Sequence, residues 1–172
     1  MENVVVRPSP IHGRGVFATV HFQAGDLILV VDGSRLVTDE EPLREGEHEH
    51  HCDWLPDGRV ILLPEPARYI NHSCDPNAFT KYTDVVRYEH ARRDIAAGEE
   101  ITHDYCINDD FGDTVWQCNC GSSRCRKTIH SGFFGLPRAL RVEYLPCLSE
   151  MFRQLHRERV DRLAREVTAT RE

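Results

Sequence analysis

The sequence lacks any long apolar run, the feature that would place a chain in a membrane. Its longest run, 27–31, has five residues, whereas a helix that crosses a bilayer needs about 20. The first residues, Met-Glu-Asn, also lack the basic and apolar regions of a signal peptide. We therefore expect no membrane partner and an intracellular location, cytoplasmic in a bacterium or nuclear in a eukaryote.

An excess of basic residues is missing as well. Lys and Arg number 21 against 28 Asp and Glu, which gives a formal net charge of −7. This balance provides no general attraction to nucleic acid and suits a cationic partner instead. Repeats and low-complexity segments are absent too. The 172 residues are enough for one domain with a single core and a small appendage.

Cysteine, in contrast, is plentiful. The count of seven is odd and comes without an export signal, which argues against a disulfide framework and for metal or thiolate chemistry. Cys118, Cys120 and Cys125 form a CxCx4C array that is one ligand short of tetrahedral zinc. Cys74 is the best fourth candidate because it lies in a turn that can present its side chain to another loop. The other candidates are Cys52, Cys106 and Cys147.

Residues 38–58 differ in character from the rest of the chain. The segment 47–51 reads EHEHH and has no apolar periodicity, so we interpret this region as an exposed insert. Its histidines and glutamates could suggest a metal site. No fourth ligand at a structural spacing accompanies them, so we adopt the solvated loop.

Short apolar segments, separated by Gly and Pro, predict a mainly β domain built of several small sheets. The segments expected to be strands are 4–7, 27–31, 60–63, 85–88 and 93–95.

The pattern becomes helical after Gly135. An imperfect apolar stripe predicts a helical C-terminal extension. This extension either docks on the domain before it or forms a homodimer through its helix. The stripe consists of Leu148, Met151, Phe152, Leu155, Val160, Leu163 and Val167.

Four segments, taken in order, resemble the signature motifs of one family. Residues 11–18 (IHGRGVFA), 68–77 (RYINHSCDPN) and 98–105 (GEEITHDY) resemble those of SET-domain protein lysine methyltransferases. The array at 118–125 is similar to the post-SET zinc motif that follows in many members. The match runs from about residue 4 to residue 131.

The resemblance implies a β-clip-like fold of small sheets, in which the segment with Asn71 and the segment with Tyr105 tuck through one another in a pseudoknot. It also implies a SET domain over 1–116, a post-SET zinc motif over 117–131 and the helical extension over 132–172.

The resemblance further implies S-adenosylmethionine as cofactor and one structural zinc ion. Tyr105 takes the position of the catalytic tyrosine, at the inner end of a channel for the substrate lysine. The implied zinc ligands are Cys74, Cys118, Cys120 and Cys125. The implied cofactor-binding residues are His12, Arg14, Gly15, Asn71, His72, Tyr105 and Asn119.

Two positions along the implied lysine channel depart from the family pattern. His103 stands where an aromatic residue usually influences how many methyl groups are added. Val31 stands where many members have a tyrosine, so either another residue, Tyr82 or Tyr88, supplies that hydroxyl or the lysine channel is altered.

The function that these features predict is protein-lysine N-methyltransferase, acting on a lysine of a basic, histone-like protein. The alternative is a catalytically weak SET-like module that binds a basic partner protein; Val31 and His103 favour this second interpretation. A zinc-containing nucleic-acid binder is a third hypothesis, which the net charge of −7 opposes.

Overall fold

The computed structural model describes residues 3–112 and 114–169. Within them, twelve strands form four small sheets, and three α-helices follow near the C-terminus. The mainly β architecture with a helical extension is as predicted. In chain order the strands are β1 (Val4–Pro8), β2 (Arg14–Ala18), β3 (Leu27–Val31), β4 (Arg35–Val37), β5 (Cys52–Trp54), β6 (Val60–Leu62), β7 (Asn71–His72), β8 (Ala78–Thr83), β9 (Val86–Ala91), β10 (Glu100–His103), β11 (Val115–Gln117) and β12 (Thr128–His130). The helices are α1 (Arg138–Tyr144), α2 (Glu150–Leu155) and α3 (Arg157–Ala169).

The first sheet brings three of the signature segments together. Its strand order is β1-β2-β10-β7, and β7 runs parallel to β10 with Asn71 opposite Thr102 and His72 opposite His103. The segments 68–77 and 98–105 therefore lie side by side, as the resemblance implies.

The second sheet, in the order β3-β9-β8, turns one face toward the interior. Side chains alternate between the two faces of a strand, so Arg87, Glu89 and Ala91 point inward from β9, and all three are buried. The register places Val31 opposite Arg87 and Arg87 opposite Tyr82. These three residues form one row across the inner face.

The insert is more structured than its composition indicates. Residues 47–51 are mostly exposed, as expected, but Cys52–Trp54 forms strand β5, paired with β6. Leu55, which follows β5, is completely buried. A three-residue strand with a central aspartate carries too little apolar periodicity to be recognised from sequence.

The predicted strand at 93–95 also differs from the structure. Only Ile95 forms a bridge there, with Phe22, while β9 extends to Ala91. Arg93 and Asp94 instead lie in the exposed turn after β9.

The C-terminal helices dock on their own chain. Phe152, Val160 and Leu163 are buried in the same core cluster as Cys74 and Cys106. The docking alternative therefore holds, and the homodimer stays a prediction. In the part of the chain described here, no helix has the length and apolar character needed to cross a membrane.

Candidate active site and metal centre

The side-chain amide of Asn71 organises the loop that precedes β2. Its Nδ2 donates hydrogen bonds to the backbone carbonyls of His12, at 3.2 Å, and Arg14, at 2.9 Å. The same amide nitrogen lies 2.8 Å from Oε1 of Glu100. Asn71 thus joins the first and third signature segments, and the structure brings the predicted residues at 12–15 and 71 into one place.

Glu100 is a site residue that sequence reasoning missed. Its carboxylate accepts hydrogen bonds from Oγ of Ser9 at 2.8 and 2.9 Å. A Cβ atom at Gly15 would overlap this carboxylate, which gives a physical reason for glycine at that position. No local sequence pattern marks this role, because the Ser9 partner lies 91 residues away along the chain.

His72 connects the two halves of the site. The backbone N–H of Tyr105 donates to its Nδ1 at 3.2 Å, so the ring proton lies on Nε2, which is 3.5 Å from Sγ of Cys74. Burial lowers the pKa of His72 to about 4, although Asp104 opposes the shift. The imidazole is therefore neutral at pH 7, with a fixed tautomer.

Tyr105 combines an exposed ring with a buried hydroxyl. The residue is 43% exposed, but its hydroxyl donates to the carbonyl of Ile70 at 2.9 Å. Burial raises the pKa of Tyr105 to about 12. The hydroxyl remains protonated and acts as a hydrogen-bond donor.

Trp116 is a second residue that sequence reasoning missed. Its ring lies 5.6 Å from the ring of His72 and 6.2 Å from that of Tyr105, while the His72 and Tyr105 rings are 5.2 Å apart. The three rings form an aromatic group that includes His72, the neighbour of Asn71, which holds the loop at 12–15. The available signal was an aromatic residue two positions before Cys118, the first cysteine of the predicted metal-binding array.

Two further predicted cofactor residues have different settings. The guanidinium of Arg14 stacks on the ring of Tyr69 at 4.4 Å and donates to its hydroxyl at 3.1 Å. Asn119 is exposed, and within the described residues its side chain makes no hydrogen bond to the other predicted cofactor-binding groups.

The four predicted zinc ligands converge. The Sγ atoms of Cys74, Cys118, Cys120 and Cys125 all lie within 4.8 Å of one another, and Cys74 and Cys118 are 3.8 Å apart. A tetrahedral zinc ion with Zn–S bonds of about 2.3 Å separates its ligands by about 3.8 Å. The cluster therefore has the size and the soft donors that zinc requires, and Cys52, Cys106 and Cys147 lie outside it.

Backbone donors support thiolates in this cluster. The N–H of Arg126 donates to Sγ of Cys74, and that of Lys127 donates to Sγ of Cys125, each at 3.4 Å. Burial raises the pKa of the Cys74 and Cys118 thiols. A cation would reverse that shift, because it stabilises the ionised sulfur.

A buried ion pair holds the cysteine loop against β10. Nη1 of Arg126 lies 2.8 Å from Oδ2 of Asp104, which is completely buried. Asp104 immediately precedes Tyr105, so the loop and the tyrosine share one support.

The predicted channel residue His103 lies beside Tyr105, with ring centroids 5.1 Å apart. Behind it, Nδ1 of His103 is 3.7 Å from Oε2 of Glu89. Glu89 in turn binds Nη2 of Arg87 at 2.7 Å. This charged pair on the inner face of β9 was not foreseen. The sequence feature that indicated it is the alternation of Arg87, Glu89 and Ala91 along the strand, which places all three on the same face.

Val31 occupies the inner row next to Arg87 and offers no hydroxyl. Of the two tyrosines considered as replacements, Tyr82 lies in this row, and its hydroxyl donates to Oδ2 of Asp53 at 2.6 Å. Tyr88 alternates with the inward-facing Arg87 and Glu89 on β9 and therefore faces outward. The geometry therefore favours Tyr82 as the source of a hydroxyl.

Comparison with known proteins agrees with this geometry. The SET domain family model matches residues 13–106, more than half of the chain. The histone-lysine N-methyltransferase trithorax of Drosophila virilis is 34% identical over 141 residues, which is 75% of this chain and 4% of the relative. Human histone-lysine N-methyltransferase 2B is 33% identical over 141 residues, or 75% of this chain and 5% of the relative. The chain thus corresponds to a small part of each of these relatives.

Among solved structures, a candidate histone methyltransferase of Plasmodium falciparum superposes with a TM-score of 0.51 at 20% identity. The superposition covers 61% of this chain and 94% of that chain, and it supports the fold. Together with the match of the family model, the signature segments and their positions around Tyr105 place the chain in the SET domain family.

Proposed function

We propose that this protein is an S-adenosylmethionine-dependent protein-lysine N-methyltransferase. The observation that carries the proposal is the hydroxyl of Tyr105, which is buried, protonated and fixed by Ile70, next to the ring of His72 and the loop held by Asn71. Because its proton is donated to Ile70, the hydroxyl oxygen can accept a hydrogen bond from a lysine N–H and orient the amine without blocking its lone pair.

The chain's own groups fit the proposed cofactor. The aromatic group of His72, Tyr105 and Trp116, in which Tyr105 is 43% exposed, offers apolar ring surface. The loop at 12–15 presents backbone where Gly13, at φ +48°, has open space around its Cα. When bound, S-adenosylmethionine would supply a methyl group on a positively charged sulfur.

Alignment is the main task left to the residues. A neutral lysine nitrogen has to approach the methyl carbon in line with the bond that breaks, and fixed geometry can contribute much of the acceleration. Tyr105 would hold the lysine at the channel end, while burial and the nearby sulfonium charge would favour the neutral amine. His103 and Val31 would line the channel, with Tyr82 in place of the absent tyrosine.

The cysteine cluster would hold one structural zinc ion with all four positions taken by thiolates. Its role would be to fix the loop that positions Trp116, and Asn119 would close over the cofactor.

A basic protein is the proposed substrate. The net charge of −7 favours a Lys- and Arg-rich tail, and the relatives described above are named for histone-lysine methylation.

The alternative proposal, a catalytically weak module that binds a basic partner, draws support from Val31, which removes a usual channel hydroxyl. Incubation with labelled S-adenosylmethionine and a panel of basic proteins separates the two. Transfer of label to a protein lysine supports the enzyme. Bound cofactor with no transfer to any panel member contradicts the enzyme and supports the module.

A further inference from the structure

Behind the predicted lysine channel, two charged side chains are buried against each other. Arg87 is 1% exposed and Glu89 is 0% exposed. The Glu89 carboxylate accepts hydrogen bonds from Arg87 at 2.7 Å and from Oγ1 of Thr80 at 2.9 Å. Removing two such charges from water is costly, and apolar residues of similar size are often at least as stable there. Packing alone therefore does not account for this pair.

His103 is the member of this network that faces the channel. Its side chain is 15% exposed. Its Nδ1 is buried without a hydrogen-bond partner at normal distance, and the nearest carboxylate oxygen is Oε2 of Glu89 at 3.7 Å. Its Nε2 makes no hydrogen bond within the residues that the structure describes, and the ring contacts that of Tyr105.

The charges around this ring do not balance. The carboxylates of Glu89 and Asp53 face a single guanidinium, that of Arg87, which leaves one negative charge in excess. A cation on the channel side is therefore favoured. The groups next to the ring are Glu89 on β9, His72 on β7 and Tyr105 after β10. Behind Glu89 the network continues to Arg87 on β9, Asp53 on β5 and Tyr82 on β8.

We infer that His103, held by Glu89, accepts the proton that the substrate lysine must lose before methyl transfer. The inference rests on the proposed function and deepens it. An N–H bond of the lysine ammonium breaks, and its proton forms a bond to Nε2 of His103. The electron pair left on the lysine nitrogen forms the new N–CH3 bond. The electron pair of the broken S–CH3 bond stays on sulfur, which becomes a neutral thioether.

In this step Glu89 is a positioning residue. With Nδ1 protonated and directed at the Glu89 carboxylate, Nε2 keeps its lone pair free for the lysine proton. The imidazolium that forms then supplies the cation that balances the excess negative charge. Because the side chain is 15% exposed, it can release the proton to solvent after each transfer.

The test combines an NMR measurement of the His103 tautomer with a measurement of the methyl-transfer rate. Histidine 15N NMR of the full chain with zinc reads the tautomer of His103, assigned by its absence in His103→Gln. We expect the wild type to carry the proton on Nδ1 and Glu89→Gln to lose this preference. Single-turnover transfer is measured with core histones as the probe. General-base catalysis typically contributes about 100-fold or more, so His103→Gln should slow transfer by about that factor.

A pH series separates proton transfer from structural damage. The deficit of His103→Gln should shrink as pH rises toward about 10, because free lysine amines lose their proton there unaided. His90→Gln, on the outer face of β9, is the matched control and should transfer at the wild-type rate. A deficit that is the same at every pH contradicts the inference.

Different results would overturn the role of His103 alone and the methyltransferase function as a whole. A wild type that methylates the histones but protonates His103 on Nε2, or a His103→Gln variant with an undiminished rate, overturns the inference alone. A wild type that transfers no methyl group overturns the proposed function and this inference with it.

Discussion

Gly15 has no side chain, yet it determines how closely two signature segments approach. The Glu100 carboxylate occupies the space that a Cβ atom at Gly15 would need, and this carboxylate also binds Ser9 and Asn71. Glycine is used where another group must come close to the backbone. The geometry of the proposed cofactor loop therefore depends on the absence of a Cβ atom at Gly15.

We predict that Gly15→Ala weakens S-adenosylmethionine binding at least tenfold, about 1.4 kcal/mol. The added methyl group would displace Glu100 and the loop carbonyls held by Asn71. Gly135→Ala is the matched control, since its Cβ would meet no atom within 4 Å. Calorimetric titration of both variants checks this, and equal affinities would contradict it.

A second prediction concerns the size of the residue at 103. His103→Phe should change the ratio of mono- to higher-methylated lysine in the product, because this ring adjoins Tyr105 and limits the space beside the reacting nitrogen. Mass spectra of the product, compared at equal extents of reaction, measure the ratio. An unchanged ratio would mean that His103 does not limit this space.

The cysteine loop and the helical extension share one hydrophobic core. Cys118, Cys120 and Cys125 pack against the buried cluster that contains Phe152 and Leu163. A salt-bridge group adds to this contact, since Arg124 and Arg92 both bind Glu143 of α1. The extension is therefore expected to support the loop as well as to cover its own apolar stripe.

We predict that Phe152→Ala lowers the free energy of unfolding by about 3–5 kcal/mol. The ring is completely buried between Phe133 and Phe134, so its loss leaves a cavity. Leu155→Ala, at a residue of the same stripe that is 52% exposed, should change stability by less than about 0.5 kcal/mol. Denaturant unfolding compares the two variants, and similar losses would contradict the docking of α2.

The elements show which patterns a sequence reveals. The apolar run at 27–31 predicts β3 to the residue, because a continuous apolar stretch rich in β-branched residues between two glycine turns has few alternatives. Strand β5 was missed because its three residues show little apolar periodicity. It is stabilised by pairing with β6, which its own residues do not reveal. Three of the proposed zinc ligands follow from soft donors at close spacing, and Cys74 follows from its place in a turn and from the family resemblance. The role of Glu100 depends on a contact over 91 residues of sequence to Ser9, which no local pattern records.

At the scale of the whole molecule, buried charges make stability depend on pH. Burial by itself would raise the pKa of Glu89, but the charge of Arg87, the neighbouring imidazole of His103 and the hydrogen bond from Thr80 outweigh it and lower the pKa to about 2. In an unfolded chain a glutamate titrates near 4.3. Ionised Glu89 therefore stabilises the fold above about pH 4.5, and this contribution is lost as the pH falls toward 2.

We predict that Glu89→Gln costs about 3 kcal/mol of stability at pH 7, since it leaves Arg87 buried without its carboxylate. The difference from the wild type should shrink as pH falls from about 4.5 toward 2. Glu45→Gln, at an exposed position, is the control. Unfolding free energies across this pH range provide the comparison, and a difference that does not vary with pH would contradict the account.

Transfer of a methyl group to a protein lysine, dependent on Tyr105, is the central claim. Its most direct test is tandem mass spectrometry of core histones incubated with S-adenosylmethionine and either the wild type or Tyr105→Phe, after equal cofactor binding by the two proteins has been established. The account predicts methylated lysines with the wild type and at least a hundredfold less with Tyr105→Phe, which keeps the ring but loses the donor to Ile70. Equal methylation by the two proteins, or none by a wild type that binds the cofactor, would contradict it.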